Sequence, residues 1–342
     1  MSEEKSIVLL YYHFTSIEDP KALASEQRYL CQKLALKGRI LIATEGINGT
    51  LGGSAASARA YQETMSEHPL FKGMEFKISE YATNPFGKLS VKARKEIVTL
   101  GVDGPLDTRR GGGEHLSPAQ WRQMIEEDPD VVLFDTRNRY ESDIGKFKGA
   151  VCPDTENFRD LPEKISEYEH LKDKKWLMYC TGGIRCEKAS VLFKEAGFQH
   201  VFQLHGGIVN YWKEVGDDLW EGDCFVFDER MSLKPPGAHA GDTPKGICVH
   251  TQEPTQNFIN CLHDPCHKLI LVHPHALEVD PQNKLCPECK AQGRTLETAH
   301  YKGSPSQPAK KTPKQKRNRE KRRSGDIAAS VDAQGPQETQ DA

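Results

Sequence analysis

Long apolar runs are missing from this 342-residue chain. None approaches the ~18 consecutive apolar residues that a membrane-spanning helix requires, so no such helix is expected. An excess of charge is missing too. Lys and Arg number 46 against 49 Asp and Glu, a formal net charge of −3, so the whole-chain balance says nothing about a nucleic-acid partner, for or against. The opening Met1-Ser-Glu-Glu-Lys lacks a signal-peptide pattern. Ten cysteines in such a chain, four of them beside Arg or Pro, suit catalytic and metal chemistry in a reducing compartment better than a disulfide scaffold. A cytoplasmic location is expected. Length and an apolar content of 37% allow two or three domains with real cores.

The most informative stretch is Lys175-Lys-Trp-Leu-Met-Tyr-Cys180-Thr-Gly-Gly-Ile-Arg185-Cys186-Glu-Lys-Ala-Ser190. Trp176 to Tyr179 has the apolar character of a buried parallel strand. From Glu187 the apolar positions Ala189, Leu192, Phe193 and Ala196 recur at helical spacing, and Gly197 is a stop signal. Between them, Thr181, Gly182, Gly183 and Ile184 form a loop whose glycines permit a tight curl. Cys180 therefore falls at the carboxyl end of a strand and at the mouth of a loop entering a helix, where open α/β sheets place reactive groups. Inward-facing amides, the helix N-terminus and Arg185 all favour thiolate over thiol, and the thiolate is the nucleophile. Thr181, Gly182, Gly183 and Ile184 would then cradle an anionic or attacked group. Cys186 stands where it could resolve an oxidised or persulfidated Cys180, or simply pack.

Ahead of this stretch, residues 6–13 read as a strand and Pro20 opens a helix to about Lys37, with Gly38 as its stop. Arg39–Ala43 reads as a second strand leading into a hairpin turn built on Asn48-Gly49. Ser54 caps a helix from Ala55 to about Glu67, and Met74–Ile78 and Ile97–Leu100 supply two more strands. The order βαββαβ predicts a ferredoxin-like α+β domain over residues 1–100. Lys88, Lys92, Arg94 and Lys95 alternate with Leu89 and Val91, which suits either a charge-protected edge strand or phosphate contact. Residues 101–114 read as a linker. Ser117-Pro118 begins a helix, Val131–Phe134 a buried strand, and Gly145–Ala150 an extended segment returning to the sheet. His200–Leu204 is a further strand, followed by His205-Gly-Gly-Ile and a helix. Strands alternating with helices predict a parallel sheet over residues 115–224. Asp135 and Arg137 are read as structural, and His205 is not assigned as a base.

Residues 225–300 carry Cys248, Cys261, Cys266, Cys286 and Cys289 among several histidines. Cys286-Pro-Glu-Cys289 is a Cys-x-x-Cys half-site and Cys261-Leu-His-Asp-Pro-Cys266 a looser one; such pairs suit tetrahedral zinc. Residues 301–342 hold a tail in which Lys310–Arg323 carries nine cations and one acid with no apolar residue. It is expected to be disordered and to add affinity for RNA phosphates.

Cys180-Thr-Gly-Gly-Ile-Arg-Cys186-Glu-Lys-Ala resembles the active-site loop of a rhodanese domain, and more narrowly that of the rhodanese-domain tRNA uridine hydroxylases. Glu45-Gly-Ile-Asn-Gly-Thr-Leu51 resembles the N-terminal signature of the same family, with an RNA-facing role as the alternative to simple turn chemistry. The resemblance implies an enzyme that makes 5-hydroxyuridine at the wobble position of tRNA, uses molecular oxygen as co-substrate and depends on Cys180. The loop by itself suits a sulfurtransferase carrying a Cys180 persulfide equally well, and an RNA-binding adaptor with a degenerate module is the non-enzymatic alternative. The sequence sets no oligomeric state.

Overall fold

A computed structural model describes residues 5–102, 104, 106–108, 111–237, 246–264 and 266–297. The basic tail of residues 301–342 lies outside the described residues.

The N-terminal domain runs β1 (Ser6–Phe14), α1 (Pro20–Lys33), β2 (Lys37–Ala43), β3 (Gly46–Ser54), α2 (Ala55–Glu67), β4 (Phe76–Tyr81) and β5 (Leu89–Ala93). The strands form one sheet in the order β4-β1-β3-β2-β5. This is the expected βαββαβ arrangement extended by a fifth strand. Both helices pack on one face of the sheet, over Leu9 and Tyr11 of β1, Ile40 and Ile42 of β2, and Ile47 and Leu51 of β3.

Several local expectations are corrected here. The first helix ends at Lys33, because Ala35 takes a left-handed φ of 53°; Gly38 lies inside β2, where a Cβ would strike the Thr50 carbonyl at 2.1 Å. The β2–β3 turn is Thr44-Glu45, not Asn48-Gly49, which pairs with Leu41 and Ile40 inside the ladder. Side-chain packing thus overrode a strong local turn signal. Residues 97–100 are not a strand. The closing strand is β5, which joins β2 in parallel at the sheet edge, so the lysine-rich segment is an edge strand.

The second domain begins with β6 (Glu114–Leu116) and α3 (Pro118–Glu127), whose capping box of Ser117 and Gln120 satisfies the first orphan amides. It continues through β7 (Val132–Asp135), α4 (Arg139–Ser142), β8 (Gly145–Phe147), α5 (Leu161–Lys164), β9 (Lys175–Tyr179), α6 (Ile184–Glu195), β10 (His200–Leu204) and α7 (Gly207–Glu214). A four-stranded parallel sheet has the order β6-β10-β9-β7. Alternate residues of β9 enter opposite cores: Trp176 and Met178 meet Phe134 and Phe193, while Leu177 and Tyr179 meet Leu204, Ile208 and Tyr211. That explains why the strand reads apolar throughout. The 145–150 segment does not rejoin this sheet as expected. β8 pairs instead with β11 (Trp220–Gly222), and only Val151 bridges to Phe134. β12 (Cys224–Phe225) then pairs with β13 (Ser232–Leu233).

The rest contains β14 (Phe258–Asn260), β15 (Leu269–Leu271), α8 (Pro274–Val279) and α9 (Pro287–Ala291). The stretch is divided between two compact units. Residues up to Ile259, together with Leu269–Lys284, belong with the two domains above; Asn260–Lys268 and the chain from Leu285 form a second unit.

Candidate active site

Cys180 follows β9 directly and is 1% exposed. The Gly183 amide donates to its Sγ at 3.1 Å. Gly183 has φ +102°, the left-handed turn that starts α6 three residues earlier than the apolar spacing predicts. The loop is held from behind by the next βα junction. Ile208 N–H donates to the Cys180 carbonyl at 3.0 Å and Val209 N–H to that of Thr181 at 3.2 Å. With the carbonyls turned toward α7, the amides face the sulfur. The Gly206-Gly207 pair permits this approach, since a Cβ on Gly207 would stand 2.6 Å from the Cys180 carbonyl oxygen.

Burial alone raises the Cys180 pKa. The adjacent Cys186 thiol, the Arg185 charge and the amides of Arg185 and Gly182 outweigh it and bring the group down to about 5. Cys186 moves the opposite way: burial and then the neighbouring Cys180 sulfur push it well above its usual value, so it stays a thiol. It is fully buried, 3.6 Å from Thr136 Oγ1. The Arg185 guanidinium is bidentate on Glu141, at 2.6 and 2.8 Å, a buried pair. Glu141 in turn accepts from the Asn138 amide in a capping box at α4. Asp135 and Arg137 form a second, wholly buried pair, with Arg137 Nη2 also donating to the Gly145 carbonyl at 2.6 Å. They fix the crossover behind the loop and do not line the cavity at Cys180. His205 pairs with Glu75 at 3.2 Å and is likewise absent from that wall.

That cavity has a volume of about 400 Å³. Cys180, Thr181, Gly182, Ile184 and Arg185 form part of its wall; Gly183 and Cys186 lie behind. One side of the remainder comes from the N-terminal sheet, on the face away from α1 and α2: Leu10 and Tyr12 of β1, Leu41 of β2, Asn48 and Thr50 of β3, Lys77 of β4; the rest comes mainly from residues 97–99, 157–159 and 226–233. Contact is close. A Cβ on Gly182 would come within 2.9 Å of Leu10, and one on Gly183 within 2.9 Å of the Tyr12 hydroxyl. Tyr12 donates to Glu187 of α6 at 2.8 Å. The buried Lys188 ammonium reaches both Glu45 at 2.9 Å and Glu96 at 2.6 Å. Glu45 also accepts from the Ile97 amide at 2.7 Å, and Asn48 donates to the Ile97 carbonyl at 2.9 Å. Glu45 and Asn48 of the Glu45–Leu51 motif thus fasten the first domain to the active-site helix and to the Ile97 backbone, while Asn48 and Thr50 also line the cavity.

Leu10, Tyr12 and Lys77 were not singled out in the sequence. Their signal was present: β1 is apolar on both faces, at Ile7, Leu9 and Tyr11 and again at Val8, Leu10 and Tyr12. In a two-layer domain that leaves the second face needing a cover.

In the second unit, the Sγ atoms of Cys261, Cys266, Cys286 and Cys289 lie within 4.8 Å of one another. Cys266 and Cys286 are 3.7 Å apart. Four sulfurs around tetrahedral zinc at ~2.3 Å would be separated by ~3.8 Å, so the donor set fits that ion. The Cys286 amide donates to Cys261 Sγ at 3.3 Å and the Cys289 amide to Cys286 Sγ at 3.5 Å, as thiolate ligands require. His263 Nδ1 is 3.3 Å from Cys289 Sγ, beside the four sulfurs. Cys248, His273 and His275 are not among the clustered ligand atoms.

Three family models cover most of the described chain: a UPF0176 acylphosphatase like domain at residues 6–97, a Rhodanese-like domain at 117–214, and a Rhodanase C-terminal region at 221–293. A tRNA uridine(34) hydroxylase of Shouchella clausii is 43% identical over 305 residues, 88% of this chain and 93% of that protein. The protein of the same name from Corynebacterium aurimucosum is 45% identical over 298 residues, covering 82% and 95%. That from Bacillus mycoides is 45% identical over 267 residues, covering 77% and 83%. Identity at this level across both domains, together with the cysteine loop and the sheet that covers it, places this chain in the tRNA uridine(34) hydroxylase family.

Proposed function

We propose that this chain hydroxylates C5 of uridine 34 in tRNA in the cytoplasm, with molecular oxygen as co-substrate. One observation carries the reading: Cys180, its Sγ accepting from the Gly183 amide, lines a cavity of about 400 Å³, a size suited to one pyrimidine nucleoside. A uridine inside an anticodon loop is single-stranded and can be turned out into such a pocket at modest cost. Cys180 adds to C6 of the uracil ring. The addition moves negative charge toward C5 and O4 and makes C5 reactive toward an oxidant. Arg185 keeps the sulfur ionised, the Thr181–Ile184 backbone shapes the floor, and Cys186 supplies a neutral thiol beside the sulfur. The lysine- and arginine-rich tail adds phosphate contacts.

The four clustered cysteines hold zinc as a structural ion. Zinc would neutralise thiolates that otherwise repel one another, and would supply the folding energy of a unit too small for a core of its own.

The test is nucleoside mass spectrometry of tRNA from cells carrying Cys180→Ser as the sole copy. Loss of 5-hydroxyuridine is expected; unchanged 5-hydroxyuridine rejects the reading. Thiocyanate formed from thiosulfate and cyanide by the purified protein, without uridine hydroxylation, would place it among sulfurtransferases instead.

A further inference from the structure

Lys77 is the one lysine in the wall of the Cys180 cavity among the described residues. The register sets it there. Lys77 pairs with Leu10 across β4 and β1, and Leu10 is the residue that meets Gly182 of the cysteine loop. Its Nζ lies 5.0 Å from the centroid of the Tyr12 ring, and the Tyr12 hydroxyl sits against Gly183. The nearby carboxylates are engaged elsewhere. Glu75 pairs with His205 at 3.2 Å; Glu187 accepts from Tyr12 at 2.8 Å and lies 3.0 Å from His115. Lys77 is half-buried, and among the described residues its ammonium has no ion pair; taking such a charge even partly out of water is costly, and a perturbed cation in a cleft is a candidate functional group. The strands around it offer cheaper ways to fill the space, as Leu10 and Leu41 do.

We propose that Lys77 is a further catalytic residue, whose ammonium receives the negative charge that passes from Cys180 to the pyrimidine. The inference rests on the covalent addition described above. A sulfur lone pair forms the Sγ–C6 bond. The C5=C6 π pair moves into the C4–C5 bond, and the C4=O4 pair moves onto O4. A proton passes from Lys77 Nζ to O4, leaving a neutral amine and a neutral enol. When the sulfur leaves, the electron movement reverses and the proton returns to nitrogen. No oxidant takes part in this step. The charge at Lys77 is tuned by what faces it: burial lowers its pKa, while Glu75 just before β4, Cys180 on the loop and Glu187 on α6 hold it up. An ammonium with a reduced pKa is the better proton donor near neutrality.

The experiment uses the full chain and an anticodon stem-loop RNA carrying 5-fluorouridine at position 34, whose C6 adduct is scored on denaturing gels. Wild-type protein is expected to form the adduct with a bell-shaped pH dependence. The acid limb follows Cys180 as it protonates; the alkaline limb follows Lys77 as it loses its proton. Lys77→Met should slow the adduct by about a hundredfold, the usual scale for loss of a proton donor. Lys77→Arg should recover part of the rate and lose the alkaline limb, because arginine does not deprotonate in that range. It also guards against a folding artefact, since it keeps the charge. Lys77→Met at the wild-type rate, or an alkaline limb unchanged in Lys77→Arg, overturns the role of Lys77 while leaving Cys180 addition intact. No adduct with wild-type protein, under conditions where tRNA is still hydroxylated, overturns the covalent addition and Lys77 with it.

Discussion

Two regions of this chain gather cysteine for opposite ends. The loop after β9 isolates one sulfur and ionises it with protein dipoles: the Gly183 amide at 3.1 Å, its neighbours in the loop, and Arg185. The cluster of Cys261, Cys266, Cys286 and Cys289 packs four sulfurs within 4.8 Å of one another. Where the countercharge is built from fixed amides and a side chain, the thiolate keeps its lone pair for chemistry. Where it would come from a metal, the lone pairs would go to coordination and the sulfurs would be structural.

The sharpest way to break the comparison is at each region's centre. Cys180→Ser should abolish uridine hydroxylation while the protein stays folded by circular dichroism. Removing metal with a strong chelator, or Cys286→Ser, should do the converse: release zinc detectable by elemental analysis and unfold the second unit, with iodoacetamide reactivity of Cys180 preserved. Loss of Cys180 reactivity on chelation would erase the distinction.

The next largest effect lies in the charge that sustains the loop. Arg185→Met leaves Glu141 buried without its partner, a change worth about 3–5 kcal/mol by denaturant unfolding. Among molecules that remain folded, Cys180 alkylation should revert toward an ordinary thiol profile. The sign follows from the depressed pKa. In wild type the thiolate, and the stability it contributes, is fully present above the unfolded-state value of 9.0 and is lost as pH falls through about 5. Alkylation by wild type should therefore stay nearly flat from mildly alkaline to mildly acidic pH.

Smaller effects sharpen the picture. Lys188→Met removes the cation shared by Glu45 and Glu96. Those carboxylates keep 28% and 21% exposure, so a loss of about 2 kcal/mol is expected, less than for a fully buried pair. The smallest change is Lys5→Ala: its pair with Glu80 is 69% and 60% exposed, and unfolding free energy should move by under ~0.5 kcal/mol.

The cysteine loop was legible because its chemistry is local. A strand end, two glycines and a helix start within a dozen residues dictate where the amides of Gly182, Gly183 and Arg185 point. The cysteine half-sites were legible for the same reason: Cys286 and Cys289 are brought together by one turn of α9, and Cys261 and Cys266 by one short loop. Asn48-Gly49 misled, since a dipeptide favouring a turn also fits a strand in which one helix-facing position must lack a side chain. Glycine at 49 leaves room for the Tyr11 ring, which a Cβ would meet at 2.2 Å.

Sequence by itself determined the reactive sulfur, the parallel sheet beneath it and the four-cysteine set, because hydrophobic period and residue spacing act over a few residues. Tertiary structure alone decided what covers the sulfur. One wall of the cavity is assembled from β1, β2, β3 and β4, about a hundred residues or more before the loop. Lys77, Tyr12 and Leu10 become neighbours of Cys180 only because the free face of one sheet needed apolar cover and the loop of another domain supplied it. Such pairings are set by burial of whole surfaces, which no local window records.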